Sequence, residues 1–138
     1  MYERAGGEAF FVRLVDSFYA GVETDPVLRP LYPEDLAGPR EHLRLFLVQY
    51  WGGPPTYSEQ RGHPRLRMRH APFEIGLAER DAWLRHMLAA VRGAGLSGAD
   101  EAEMTAYFTT AATQLINSTG ASHERPPGRG DIRTADRR

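Results

Sequence analysis

The chain has 138 residues, of which 41% are hydrophobic and 25% are charged, and these proportions are those of a globular protein with a single domain. Its 17 basic residues are all arginine and its formal net charge is −1, so lysine Schiff-base chemistry is excluded and general affinity for nucleic acid is not expected. Because the chain has no cysteine, disulfides, thiol catalysis and thiolate-bound metal centres are also excluded.

The N-terminus, Met1-Tyr2-Glu3-Arg4, lacks the basic and then apolar pattern of a secretory signal. No apolar run approaches the ~18 residues that a membrane span requires. We therefore expect a cytoplasmic protein with no transmembrane segment.

Two amphipathic helices are predicted in the first half of the chain. The first covers about 8–22 and follows Gly6-Gly7, and the second covers about 39–50 and ends before Gly52-Gly53-Pro54-Pro55. Pro39 suits the first turn of the second helix, where its missing N–H costs nothing. Their apolar stripes consist of Phe11, Val15, Phe18 and Val22 and of Leu43, Phe46, Leu47 and Tyr50.

Two further helices are predicted over about 77–92 and 98–118, and Ser97 is expected to cap the second of them. Between the two helix pairs, residues 54–73 contain several helix breakers, so we expect mostly loop with one helical turn around 64–70. No segment alternates with the period of a strand. The fold class is therefore predicted to be all-α.

The last stretch, residues 119–138, contains one large aliphatic residue, Ile132, together with five arginines. Such a segment buries too little apolar surface to offset its ordering entropy. We predict a folded domain over 1–118 and a disordered Arg/Pro/Gly-rich tail over 119–138.

The segment 60–73 is unusual because it contains four arginines and two histidines without an acidic residue. Three interpretations stay open on the residues alone. The arginines Arg61–Arg69 form an anion- or nucleic-acid-binding patch, or the histidines contribute to a multi-ligand metal site, or His70 is the single axial ligand of a flat apolar cofactor. In the third case, apolar helix faces line the slot with Leu43, Phe46, Leu47, Trp83 and Met87.

The sequences Tyr50-Trp51-Gly52-Gly53-Pro54 and 57–73 resemble those of group II truncated haemoglobins. The pair Gly6-Gly7 and the segments Phe18-Tyr19, 31–35 and 80–84 match the same family in the same order, and the resemblance covers about 4–118. It implies a truncated globin fold, a two-over-two helical sandwich around haem b. It also accounts for the irregular stretch, because this family replaces most of the proximal helix with a loop.

The resemblance implies that His70 is the proximal iron ligand and that Arg69 and Tyr57 contact the haem propionates. Arg67 is a further candidate for a charge-assisted bond to a propionate. The family usually has an arginine where this chain has His42, and Pro39 stands where other globins have a distal histidine.

On the distal side the resemblance implies three hydrogen-bond donors, Tyr19, Tyr32 and Trp83. Phenol and indole donors stabilise the negative charge that a diatomic ligand acquires. We therefore expect reversible binding of dioxygen and other diatomic ligands at ferrous iron.

Oxygen transport and the detoxification of nitric oxide or peroxide are both compatible with such a pocket. Enzymatic turnover would require a reductase partner, and homo-oligomers occur in the family. The alternative from a different class is a helical module that uses the patch Arg61–Arg69 to bind an anion or nucleic acid.

Overall fold

A computed structural model of the protein describes residues 1–117, and every regular element in that range is helical. Seven α-helices follow one another along the chain, with a 3-10 turn over Arg29–Leu31. They are α1 (Tyr2–Ala5), α2 (Gly7–Val22), α3 (Ala37–Tyr50), α4 (Thr56–Arg61), α5 (Leu66–His70), α6 (Leu77–Arg92) and α7 (Gly98–Gln114). The all-α prediction is confirmed.

The four long helices pack as two pairs. Helix α2 packs against α3, α6 packs against α7, and α2 also lies against α6, which joins the pairs into the predicted two-over-two arrangement. The apolar stripes of these helices meet in one core. Its largest fully buried side chains are Phe10, Phe11, Phe18, Phe108, Leu14, Leu28, Leu47, Met87 and Met104.

Local sequence explains where the long helices begin. Gly6 has a φ of 125°, a conformation open to glycine, and this allows the chain to turn from α1 into α2. The backbone N–H of Ala37 donates to the Asp35 carboxylate over 2.9 Å, so α3 begins two residues earlier than predicted. The predicted cap is confirmed at α7, where the Ser97 hydroxyl accepts from the N–H of Asp100 over 3.2 Å.

The prediction that residues 54–73 are mostly loop was wrong for 56–61, which form α4. Pro55 precedes this helix, and Gly62, with a φ of 80°, ends it. The breakers therefore bound a short helix, because proline favours a helix start and glycine a helix end. The helical turn predicted around 64–70 is confirmed as α5.

Helix α7 ends at Gln114, four residues before the predicted end. The chain then turns so that Asn117 pairs with the loop before α6, and this contact replaces another helical turn. The predicted tail over 119–138, and with it the predicted domain boundary, lies outside the described residues. No helix within residues 1–117 is long and apolar enough to cross a membrane.

Candidate functional site

The last residue of α5 is His70, and its ring is held in one orientation. The Nδ1 atom lies 2.7 Å from the carbonyl oxygen of Leu66, so an N–H at this atom donates to the backbone. Burial lowers the pKa of His70, which favours the neutral imidazole. A neutral ring that donates through Nδ1 leaves Nε2 with a free lone pair, as a metal-binding histidine requires.

Asn117 holds the loop that carries His70 to the end of α7. Its side-chain amide donates to the carbonyl oxygens of His70 and Phe73 over 3.3 and 2.9 Å. Its Oδ1 atom accepts from the N–H of Ile75 over 2.8 Å, and its own N–H donates to the Ile75 carbonyl over 2.8 Å. The sequence analysis missed this residue because a single asparagine beyond a helix end has no periodic signature.

A cluster of cationic side chains surrounds the buried phenol of Tyr57. The guanidinium carbons of Arg61 and Arg69 lie 5.9 and 6.0 Å from the centre of its ring. Arg69 is fixed there because it donates to the carbonyl oxygens of Pro64 and Arg61 over 3.1 and 2.9 Å.

Arg61 points to the same place and carries unused hydrogen-bonding capacity. Its Nη1 atom lies 3.0 Å from Nε2 of His42, whereas its buried Nε has no partner within the described part of the chain. Burial and the charge of Arg61 lower the pKa of His42, so this ring accepts the hydrogen bond as a neutral base.

Neither Arg61 nor Arg69 is ion-paired with a carboxylate of residues 1–117. Two partly buried guanidiniums without a counter-charge are a site for anionic groups. The structure therefore brings together Tyr57 and Arg69, the two residues that were expected to contact the haem propionates. It also places Arg61 beside them.

Arg67 takes a different direction, because its Nη1 donates to the carbonyl oxygen of Gln114 over 3.0 Å. Arg65 and Arg67 are exposed, whereas Arg61 and Arg69 are partly buried beside Tyr57. The four guanidiniums therefore do not form one exposed surface of the kind that a nucleic-acid patch requires.

The apolar side chains that were predicted to line the cofactor site differ in their burial. Leu43, Phe46 and Trp83 are only partly buried where they pack on the core, and the Phe46 ring lies 5.6 Å from that of Tyr57. Leu47 and Met87, in contrast, are fully enclosed in the core. Contact of all five with a cofactor stays a prediction, for which the first three supply available apolar surface.

The three predicted distal donors converge at one point. Tyr19 of α2 and Tyr32 lie edge to face with ring centres 5.6 Å apart. Hydrogen bonding with Tyr19 and with the indole of Trp83, on α6, acts to lower the pKa of Tyr32, but burial outweighs it. Burial raises the pKa of Tyr32 to about 12 and also raises that of Tyr19, so both phenols keep their protons at neutral pH.

No three histidine, aspartate or glutamate side chains of residues 1–117 come close enough to hold a metal ion together. The donor set is instead one neutral imidazole, three partly buried apolar side chains, two guanidiniums that have no carboxylate partner within residues 1–117, and a group of three O–H and N–H donors. This set fits haem, which needs one axial histidine, apolar contacts for its ring and cations for its propionates.

Comparison with known proteins agrees with this geometry. The profile of the bacterial-like globin family matches residues 1–117. The group 2 truncated haemoglobin YjbI of Bacillus subtilis is 41% identical over 115 residues, which are 83% of this chain and 87% of that protein.

Solved structures show the same likeness. The haemoglobin of the thermophilic phototrophic bacterium Chloroflexus aurantiacus is 62% identical with a TM-score of 0.83, over 84% of this chain and 96% of that one. The group II truncated haemoglobin of Bacillus anthracis is 38% identical with a TM-score of 0.82, over 86% and 96% of the two chains. The chain therefore belongs to the bacterial-like globin family, as a group II truncated haemoglobin with haem as its cofactor.

Proposed function

We propose that this protein binds dioxygen reversibly, with His70 as the iron ligand and with Tyr19, Tyr32 and Trp83 as hydrogen-bond donors to the gas. The observation that carries the proposal is the convergence of these three donors from separate parts of the chain. If these phenols served only to fill the core, each hydroxyl would need only one backbone acceptor, and the three groups would not have to meet.

The proximal side supports the same proposal. When bound, haem would supply the iron at which a diatomic gas binds. His70 would hold that iron through Nε2, since Nδ1 is engaged with Leu66. The hydrogen bond to the Leu66 carbonyl also increases the basicity of the ring and fixes its plane.

Arg61 and Arg69 are the residues that would bind the haem propionates, together with the hydroxyl of Tyr57. Their guanidiniums lie over one phenol ring, and in the part of the chain that the structure describes they have no carboxylate partner and the buried Nε of Arg61 has no hydrogen-bond partner. Bonds between a guanidinium and a carboxylate are charge-assisted and stronger than neutral hydrogen bonds. These contacts fix the orientation of the cofactor in the cleft.

On the distal side, partial burial would strengthen the donors. Tyr19 is almost fully buried, whereas Trp83 is partly buried and packs between Phe18 and Phe108 with ring centres 5.2 and 5.8 Å away. In a water-poor environment, O–H and N–H donors interact strongly with a ligand whose outer atom gains negative charge. Carbon monoxide and nitric oxide fit the same space, but the donors stabilise them less when the bound gas carries less negative charge.

The test is the absorption spectrum of the purified full-length protein. We expect a Soret band and, after reduction, an oxygenated spectrum that appears on adding oxygen and disappears when oxygen is removed. Reduction followed by direct oxidation to the ferric form, without an oxygenated spectrum, would contradict reversible binding. A colourless preparation that binds haem from neither the host nor solution would contradict the cofactor assignment as well.

A further inference from the structure

We propose that Asp25 is a positioning residue for the distal donors, because its buried carboxylate fixes the segment that carries Tyr32 against the helix that carries Trp83. This inference rests on the proposed function, since it concerns donors whose role there is itself proposed. Asp25 lies three residues beyond the end of α2 and is not one of the residues expected to touch haem or ligand.

The carboxylate of Asp25 joins two elements, with one oxygen for each. Its Oδ1 accepts from the backbone N–H groups of Val27 and Leu28 over 2.8 and 3.2 Å. Its Oδ2 accepts from Nε2 of His86 over 2.7 Å and from Nη2 of Arg85 over 3.0 Å, both on α6. The Asp25 side chain is only 4% exposed, so its bonds to the backbone and to His86 are shielded from water, whereas the side chain of Arg85 is 64% exposed.

The segment between Asp25 and Tyr32 is a continuous unit of backbone hydrogen bonds. The N–H of Arg29 donates to the Asp25 carbonyl over 2.8 Å, and the N–H of Tyr32 donates to the Arg29 carbonyl over 3.2 Å. Leu28, which is fully buried, anchors the middle of this unit in the core. Because the unit is bonded from end to end, a displacement at Asp25 is transmitted to Tyr32.

On α6, His86 follows Trp83 by three residues, so both lie on the same side of the helix about one turn apart. The imidazole of His86 also fits against Gly21 of α2, where a Cβ atom would lie only 2.2 Å from its Nδ1. Gly21 in turn follows Tyr19 by two residues. The Asp25–His86 pair therefore sets the register of all three donor-bearing elements.

Asp100 offers a matched control. Its side chain is 10% exposed and is ion-paired with Arg4 over 2.8 Å. Within residues 1–117, it makes no hydrogen bond or ion pair with the segment that carries Tyr32 or with α6. Like Asp25, it is a buried carboxylate that pairs with an arginine on another element. Its replacement should therefore reveal the cost of losing such a pair without moving Tyr32 or Trp83.

The experiment compares Asp25→Ala, Asp25→Asn and Asp100→Ala in the full-length haem protein. The readouts are the C–O stretching band of the carbon monoxide complex, which responds to nearby hydrogen-bond donors, and the rate of oxygen dissociation. We expect Asp25→Ala to broaden or split the C–O band and to release oxygen about 3- to 10-fold faster, and Asp25→Asn to do so less. Asp100→Ala should lower the melting temperature and leave both readouts unchanged.

A double-variant comparison shows whether Asp25 acts through the donors. In a Trp83→Phe background, Asp25→Ala should have a smaller effect on oxygen dissociation than in the parent, because one of the two donors that it positions is gone. An effect of Asp25→Ala that persists unchanged in that background would contradict positioning. If Trp83→Phe alone leaves oxygen dissociation unchanged, it is the proposed donor role of Trp83 that fails, and the two failures are therefore distinguishable.

A second variant allows the proposal to be tested even if Asp25→Ala does not fold. His86→Ala removes the more buried of the two bonds from α6 to Asp25 and leaves the bond from the exposed Arg85 and those from the backbone donors. We expect the same change in the C–O band as for Asp25→Ala. A single unshifted C–O band in His86→Ala and in Asp25→Asn, with parental oxygen release, would overturn the proposal.

Discussion

The Nδ1 atom of His70 and the carbonyl oxygen of Leu66 are 2.7 Å apart across one turn of α5. This bond leaves Nε2 as the free nitrogen of the ring. A histidine at the end of a five-residue helix would otherwise sample several rotamers. The backbone of α5 therefore selects both the tautomer of His70 and the direction in which it would bind iron.

The first prediction concerns this ligand. His70→Ala should lose bound haem or keep it only weakly, and added imidazole should restore a histidine-like ferrous spectrum because it occupies the space of the missing ring. Absorption spectra of the reduced variant, with and without imidazole, provide the measurement.

His63→Ala is the control, since His63 is exposed in the same arginine-rich segment. Its spectrum should match that of the parent. Equal haem loss in the two variants, or an unchanged ferrous spectrum in His70→Ala, would show that the ligand lies elsewhere.

The second prediction concerns Asn117, which makes four hydrogen bonds to the loop around His70. Asn117→Ala removes three of them and should lower the free energy of unfolding by about 1–3 kcal/mol. It should also accelerate haem loss to an apoglobin acceptor, because the carbonyl of His70 is no longer held. Gln114→Ala, at an exposed side chain of the same helix end, should behave like the parent. If Asn117→Ala lost haem at the same rate as the parent protein, Asn117 would contribute to folding but not to haem retention.

The third prediction concerns the cationic cluster around Tyr57. Arg69→Gln should speed haem loss about tenfold or more, since it removes a charge-assisted bond to a propionate. Arg65→Gln removes the same charge from an exposed position nearby and should have little effect. The rates can be measured by transfer of haem to an acceptor protein. Similar rates for the two variants would mean that overall charge, and not a specific bond, retains the cofactor.

Periodicity was sufficient to predict the four long helices and most of their buried faces, because each of them buries one stripe against the core. It could not predict α4, since six residues are less than two turns and display no stripe. There the useful signal was the position of Pro55 before the helix and of Gly62 after it.

The site residues could not be predicted from periodicity. Tyr19, Tyr32 and Trp83 came from the resemblance to a family, because their convergence depends on three elements that are distant in sequence. Neither resemblance nor spacing drew attention to Asp25 or Asn117. Asn117 bonds backbone groups of a distant loop, and Asp25 bonds side chains of α6 that lie about 60 residues away. Such tertiary hydrogen bonds leave no periodic trace in a single sequence.

The fourth prediction concerns alkaline pH. The folded protein raises the pKa of Tyr32 to about 12 through burial, whereas the phenol in an unfolded chain ionises near its ordinary value of about 10. Stability that depends on the neutral phenol is therefore complete below about pH 10 and is lost as the pH rises towards 12. Tyr32→Phe should reduce this loss, measured as the free energy of unfolding between those pH values.

Tyr107 is the matched control for that titration, because burial raises its pKa to about 12 as well. Tyr107 stacks on Tyr50 at 4.3 Å, apart from the three donors. Tyr107→Phe should also reduce the alkaline loss of stability, but only Tyr32→Phe should change oxygen release at neutral pH. If both variants kept the full alkaline loss, ionisation of these buried phenols would not be its cause.

The last prediction concerns Trp83, whose indole lies beside the distal phenols and acts to lower the pKa of Tyr32. Trp83→Phe removes the donor but keeps an aromatic ring between Phe18 and Phe108, so packing is largely preserved. A hydrogen bond to a charged partner contributes about 1.5–3 kcal/mol, and a tenfold change in rate corresponds to about 1.4 kcal/mol. Oxygen should therefore dissociate roughly 10- to 100-fold faster, and autoxidation should accelerate with it.

Stopped-flow measurement of oxygen dissociation decides this prediction, with Trp51→Phe as the control. Trp51 is the other tryptophan of the chain and is also largely buried, but it packs against Phe11, Tyr107 and Phe108, away from the distal phenols. Trp51→Phe should destabilise the protein without accelerating oxygen release. An off-rate for Trp83→Phe within about twofold of the parent would mean that Trp83 only fills space in the core. Tyr19 and Tyr32 would then be the donors that retain the ligand, and Tyr19→Phe, rather than Trp83→Phe, would show the large increase in rate.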